Sequence, residues 1–333
     1  MKNLVKKSII GVSAAILASF CLVPAYAEEV AAETEEAAAG TEVAAAETEE
    51  ADPAIQEGYT EEGEGFTSVV TWCKNGDLNI YGKFYYPEGF DENGSYPTVI
   101  MSHGLGSTAA MVERSQWPQA MTAEGYVVYA FDFCGGGKNS NSDLTYLTMS
   151  VKTEISDLNA IMDFVESKSF VDKEHLFLLG QSQGGFVSAM TAASRPDEVK
   201  AMILVYPAFC IVDDLHEFIP DISAVTGDTV ETAMGTLGAC YALDAYDIDV
   251  MNEIKGYTGD VLLIHGLNDK TVPLSYSMDA LNNAYSEASS ELLVVTGKKS
   301  VHGFEMMFDR GRDLAQKAGA DFLNAHLVDE AEE

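Results

Sequence analysis

Leu176-Phe177-Leu178-Leu179-Gly180-Gln181-Ser182-Gln183-Gly184-Gly185 decides the reading of this chain. An uninterrupted apolar run enters G-x-S-x-G, and a helical segment follows over 184–194. Such a run is what a strand buried on both faces looks like. A nucleophile on a sharp strand-to-helix turn needs a strained backbone, and glycines two positions to either side let strand and helix pack closely. The turn also places Ser182 at a helix N-terminus, where the dipole favours developing negative charge. The bland alternative is a glycine-rich turn carrying an idle serine.

Moving outward, Thr67–Trp72 and Leu78–Tyr86 read as an antiparallel start, rich in β-branched and aromatic residues. Six further apolar runs read as strands: Thr98–Ser102, Val127–Asp132, Leu176–Gly180, Ala201–Tyr206, Val261–His265 and Leu292–Thr296. Helical segments are expected near 109–124, 150–167, 184–194, 274–287 and 309–326. In the second, Val151, Ile155, Leu158, Ile161, Met162 and Val165 recur at helical spacing. The alternation predicts an α/β fold with a mainly parallel eight-stranded sheet covered by helices on both faces. Pro207 to Gly256 is too long for a crossover and reads as a small cap insertion, about 207–256, helical around Glu231–Tyr241. An insertion there lies over the strand ends where α/β sheets bind ligands.

A serine nucleophile needs a base, and the base needs an orienting acid. Leu262-Leu263-Ile264-His265-Gly266-Leu267-Asn268-Asp269 is a buried strand followed by a loop carrying Asp269, and His302-Gly303 lies on the loop after the next strand. Asp213 and Asp214 compete for the acid's role. His175 and His326 read as surface positions, His265 as a brace for the acid loop, and His216 as part of the cap. An oxyanion hole needs two backbone N–H donors. Gln183 supplies one as the residue after the nucleophile, and Leu105, in Ser102-His103-Gly104-Leu105-Gly106, is the choice for the other.

His103-Gly104, Phe131-Asp132-Phe133-Cys134-Gly135-Gly136-Gly137, Gly180 to Gly185, His265-Gly266-x-x-Asp269 and His302-Gly303 together resemble the α/β-hydrolase superfamily. The order Ser182…Asp269…His302 is the order of that superfamily. Within it the chain is similar to bacterial cinnamoyl/feruloyl esterase-like serine hydrolases over nearly all of 66–326. It departs from them at Gln181, where that group commonly has His, and at Cys134, where it has a polar or basic residue. The resemblance implies cleavage of carboxylic esters, on small-molecule or glycan-linked substrates, through a Ser182-His302-Asp269 triad and an acyl-enzyme, with no metal or organic cofactor. Tyr206, Phe209, Leu215 and Phe218 are candidate pocket walls, with core packing as their alternative. Two other functions stay open: a serine peptidase of the prolyl-oligopeptidase type, and a non-catalytic binding protein on a hydrolase scaffold.

Composition sets the outer limits. The 333 residues are 47% hydrophobic, with 19 Lys+Arg against 53 Asp+Glu and a formal charge of −34. A surface this acidic repels phosphate backbones, and no basic stripe offsets it, which argues against nucleic acid. Lys2, Lys6 and Lys7 precede an apolar stretch from Ser8 to Val23, and Ala25-Tyr26-Ala27 offers a signal-peptidase site. Residues 1–27 therefore read as a leader cleaved after Ala27, giving a secreted protein, in places cell-surface associated, with no membrane span once the leader is gone. Residues 28–64 hold 14 acidic and no basic residues, with residues 31–37 repeated at 45–51. They read as a low-complexity acidic tether, followed by the hydrolase domain over 65–328 and an acidic tail over 329–333. Cys73, Cys134, Cys210 and Cys240 survive cleavage, match no zinc spacing and read as buried free thiols, their pairing undetermined. Oligomeric state is not legible.

Overall fold

The computed structural model describes residues 52–286 and 288–327. The leader over 1–27, the tether as far as residue 51 and the tail over 329–333 lie outside the described residues.

In chain order the strands are β1 (Thr60–Gly63), β2 (Phe66–Asn75), β3 (Leu78–Pro87), β4 (Tyr96–Ser102), β5 (Val127–Phe131), β6 (Val171–Gln181), β7 (Ala201–Val205), β8 (Thr229–Thr232), β9 (Gly235–Gly238), β10 (Asp260–Gly266) and β11 (Glu291–Val295). The helices are α1 (Ala109–Arg114), α2 (Trp117–Ala123), α3 (Val151–Glu166), α4 (Gln183–Ser194), α5 (Ile211–Phe218), α6 (Ala239–Ala245), α7 (Val250–Glu253), α8 (Leu274–Asn283) and α9 (Asp309–Ala325). Nine strands form the main sheet in the order β1-β2-β3-β5-β4-β6-β7-β10-β11. The pairs β1/β2, β2/β3 and β3/β5 are antiparallel, and every later pair is parallel.

Alternate residues of the central strands feed two cores, one on each face of the sheet. Ile100, Tyr129, Leu178, Met202 and Leu263 pack with Leu158 and Ile161 of α3 and Phe186 of α4. Val99, Val128, Phe177, Ile203 and Leu262 pack with Trp117 and Met121 of α2 and Leu323 of α9. Both faces are thus covered, as the continuous apolar runs required. Ser150 starts α3 with a capping box: its hydroxyl accepts from the Thr153 N–H while the Thr153 hydroxyl accepts from the Ser150 N–H.

Four expectations are corrected. The sheet has nine strands rather than eight, because Thr60–Gly63 adds an antiparallel edge through a turn with Gly65 at φ 79°. The acidic tether accordingly does not run to residue 64. Glu57 accepts the Trp72 backbone N–H at 2.7 Å, and the Trp72 indole N–H donates to the Ile55 carbonyl at 3.0 Å, so its last dozen residues are bound to the sheet. The helix expected over 109–124 is two helices, broken at Gln116 (φ 63°) ahead of Pro118, whose ring and missing N–H a helix interior does not accept. In the cap, the segment expected to be helical from Glu231 belongs first to the hairpin β8–β9, turning at Gly235 (φ 94°), and helix begins only at Ala239.

The four cysteines are free thiols, with Cys73, Cys134 and Cys210 buried and Cys240 half-buried. Among the described residues no helix is long and apolar enough to cross a membrane, and no cluster of His, Cys, Asp and Glu could hold a metal ion.

Candidate active site

Strand β6 ends at Gln181, helix α4 starts at Gln183, and Ser182 alone makes the turn at φ 53°, ψ −119°. This conformation strains any residue with a side chain and persists only where its surroundings fix it. They do so through the Ser182 N–H, which donates to the Val205 carbonyl at 3.0 Å, and the Ser182 carbonyl, which accepts from Gly185 and Ala208 at 2.9 Å each. The flanking glycines are a packing necessity. A Cβ on Gly180 would lie 2.4 Å from the Gly184 carbonyl oxygen, and one on Gly184 would lie 2.3 Å from that of Ser102.

The loops after β10 and β11 bring two more side chains to this turn. The His302 Nδ1 lies 2.8 Å from Asp269 Oδ2, and its Nε2 lies 3.0 Å from Ser182 Oγ. A carboxylate only accepts, so Nδ1 carries the proton and Nε2 is left to accept from the Ser182 hydroxyl. Asp269 is buried, and its other oxygen accepts the Thr271 and Val272 backbone N–H groups at 2.9 Å each. His265 braces this loop: its Nε2–H donates to the Val272 carbonyl and its Nδ1 accepts from the Ser277 hydroxyl. Burial lowers its proton affinity and keeps it neutral. In this arrangement the imidazole can take the hydroxyl proton while the carboxylate holds the ring's tautomer.

The loop carrying Leu105 is pressed against the nucleophile, since a Cβ on Gly104 would lie 3.0 Å from Ser182 Cβ. Three contacts from the β5 end hold it there. His103 Nε2 accepts the Phe133 N–H at 3.0 Å, the Gly106 N–H donates to the Gly136 carbonyl at 2.7 Å, and Asp132 accepts the Ala109 N–H at 2.7 Å. His103 is fully buried and its pKa falls to about 4, so it stays neutral, with Nδ1–H donating to the Gly104 carbonyl. Neither the Leu105 nor the Gln183 backbone N–H donates to another group among the described residues, which leaves both donors open beside Ser182.

The other candidates lie elsewhere. Asp213 accepts from the Tyr276 hydroxyl, and Asp214 is engaged by Cys210, so neither serves His302. His175 pairs with Asp172, His326 with Asp260, and His216 with the Tyr246 carbonyl. Of the four expected pocket walls, three are buried. Phe209 and Leu215 are core residues with almost no surface to offer a ligand. Phe218 is half exposed on α5. Tyr206, the residue after β7, is buried with its ring 4.4 Å from the His302 ring and its hydroxyl on Glu305.

Two buried glutamates escaped the sequence reading. Glu305, three residues after the base, accepts from the Gln181 amide at 2.6 Å and from the Tyr206 hydroxyl. Glu154 on α3 accepts from the Gln183 amide at 2.7 Å, and the Gln183 carbonyl oxygen accepts from the Tyr241 hydroxyl of α6 at 2.6 Å. Both neighbours of Ser182 are therefore held by a glutamate, and Gln183 by a tyrosine as well. The signal for Glu154 was its position: it shares the helical face of Val151, Leu158, Ile161 and Val165, all buried. For Glu305 it was a lone charge inside Phe304-Glu305-Met306-Met307-Phe308.

Burial pushes Glu154 up to about 8 from an ordinary 4.5. The folded state then holds a proton that the unfolded chain releases, so stability declines as pH rises from about 4.5 through about 8. Glu154→Gln keeps the acceptor for Gln183 and removes the titration. Denaturant unfolding at pH 5 and pH 9 is expected to show the wild type losing up to about 4 kcal/mol more than the variant. Parallel pH profiles for the two proteins would contradict a protonated Glu154.

With this geometry in place, the comparisons with known proteins fall into line. The crystal structure of Est1E from Butyrivibrio proteoclasticus with bound ferulic acid superposes with a TM-score of 0.66 at 20% identity, over 78% of this chain and 100% of that one. The family model Hydrolase_4, described as serine aminopeptidase, S33, matches residues 95–245. The chain has the α/β-hydrolase fold. The chain also resembles acetyl xylan esterase 1 from Thermoanaerobacterium sp. JW/SL YS485, with a TM-score of 0.58 at 21% identity over 81% of this chain and 88% of that esterase. Among curated proteins it is 33% identical to a probable 1-acylglycerol-3-phosphate O-acyltransferase from Oryza sativa subsp. japonica, over 36% of this chain and 27% of that protein. The chain spans 18–56% of the length of such relatives.

Proposed function

We propose that this chain is an exported serine hydrolase that cleaves carboxylic esters, of small molecules or linked to glycans, through an acyl-enzyme. The observation that carries the reading is the unbroken line from Ser182 Oγ through the His302 ring to Asp269, set on a strained turn. Esterase relatives of the same fold, one of them holding ferulic acid, support an ester and make a hydroxycinnamate acyl group a reasonable first substrate.

Ser182 Oγ attacks the ester carbonyl carbon as His302 Nε2 removes its proton. Asp269 holds Nδ1–H and stabilises the imidazolium that forms. The carbonyl oxygen, now carrying the charge, accepts from the Leu105 and Gln183 N–H groups, each worth roughly 10²–10³ in rate. Collapse expels the alcohol, which takes the proton from His302. Water then attacks the acyl-serine with the same imidazole as base, releasing the acid and restoring the hydroxyl.

The description of the matching family model favours a second reading, a serine peptidase. Assaying p-nitrophenyl acetate and ethyl ferulate beside aminoacyl and prolyl amides separates the two. Ester turnover with kcat/KM at least about 100-fold above any amide is expected, and rapid amide cleavage with no ester preference would overturn the proposal.

A further inference from the structure

We propose that Glu305 is a positioning residue for the base, tying the turn that carries Ser182 to the loop that carries His302. The inference rests on the triad reading and adds a part to it.

The Ser182–His302 contact joins two loops far apart in sequence, and something must hold them in register. Loop 296–303 is bound to the acid loop: Asn268 donates its side-chain amide to the Gly297 carbonyl at 2.6 Å, and its backbone N–H to the Ser300 carbonyl at 2.9 Å. These contacts fix His302 against Asp269 but not against the nucleophile. Among the described residues, the hydrogen bonds between the Ser182 turn and this loop are the Ser182–His302 contact and the Gln181–Glu305 contact. Gln181 is the last residue of β6, so the second bond holds the backbone one position before the nucleophile.

Oε1 of Glu305 also accepts from Tyr206, whose ring packs against the His302 imidazole and whose N–H is fixed on the Ile264 carbonyl at 2.7 Å. One carboxyl oxygen thus gathers the ends of β6 and β7 and the base loop. Oε2 is buried without a partner among the described residues. A surface-quality tether does not need a carboxyl group sealed at 1% exposure with one oxygen unsatisfied, an arrangement that costs stability. Such costs persist where a site needs its geometry fixed. Displacing a reacting group by about 1 Å costs on the order of 10²-fold in rate.

The experiment is steady-state kinetics on p-nitrophenyl acetate, with folded enzyme quantified by thermal unfolding. Glu305→Ala is expected to lower kcat about 30- to 100-fold with KM within about 2-fold of wild type. Glu305→Gln keeps an acceptor for Gln181 and Tyr206 and is expected to restore kcat to within about 3-fold. Gln181→Met removes only the elbow end, is expected to lower kcat in the same way, and carries the test by itself should Glu305→Ala not fold. The double variant Gln181→Met with Glu305→Ala should lose no more than the worse single one. Unchanged kcat in Gln181→Met or in folded Glu305→Ala, or losses that multiply, would overturn the proposal. Failure of the triad reading has its own sign, since Ser182→Ala would then keep its activity whatever Glu305 does.

Discussion

Ser182→Ala is expected to lower kcat toward esters by about 10⁴-fold or more while leaving thermal stability and KM nearly unchanged. The side chain lost is one hydroxyl bonded to His302. Backbone strain at φ 53° remains in both proteins, because alanine has the same Cβ. The two open N–H donors and the binding surface also remain, so the residual rate reports what they contribute without a nucleophile. Initial rates on ethyl ferulate and p-nitrophenyl acetate, with a wild-type preparation carried through the same purification, check it. Activity within about 10-fold of wild type would mean that the hydroxyl at the turn is not the attacking group.

Asp269→Asn tests the next link. Asp269 uses one oxygen for Thr271 and Val272 and the other for His302. An asparagine keeps its carbonyl oxygen on the two backbone N–H groups and so turns its NH₂ toward the imidazole. His302 Nδ1 must then accept, Nε2 carries the proton, and the Ser182 hydroxyl has nothing to give its own proton to. A loss of about 10⁴-fold in kcat, or about 5 kcal/mol of transition-state stabilisation, is expected with little change in fold. His265 helps preserve the loop, since its hydrogen bonds go to Val272 and Ser277, with its Nε2 3.6 Å from Asp269 Oδ2. A loss of under about 10-fold would assign the orienting role elsewhere.

The parts of this molecule that the sequence made legible are those with a local cause. Gly180 and Gly184 announce a crowded turn around Ser182 because a Cβ at either would collide with backbone where the strand and helix cross. Asp269 and His302 follow β10 and β11, whose apolar runs fix where each loop begins. The alternation of strands and helices specified the sheet's centre, where nearly every side chain is buried. What was illegible depends on distant partners. Thr60-Glu61-Glu62-Gly63 is exposed throughout and has no apolar pattern; it is a strand because β2 offers an edge to pair with. The β8–β9 hairpin rests on a turn glycine within a short polar stretch that helical propensity also accommodates. Glu154 and Glu305 went unread, because the glutamines on either side of Ser182 that they bind are brought from far along the chain. Tyr206 read as a pocket wall beside the cap, with core packing as its alternative, and its hydroxyl is turned inward onto Glu305.

Covalent trapping tests the central claim most directly. Incubation with an alkyl fluorophosphonate, followed by proteolysis and mass spectrometry, is expected to place a single phosphonyl adduct on Ser182, in step with loss of ester hydrolysis and much slower in His302→Ala. Full ester turnover with Ser182 unlabelled, or loss of activity tracking an adduct on another residue, would contradict the account.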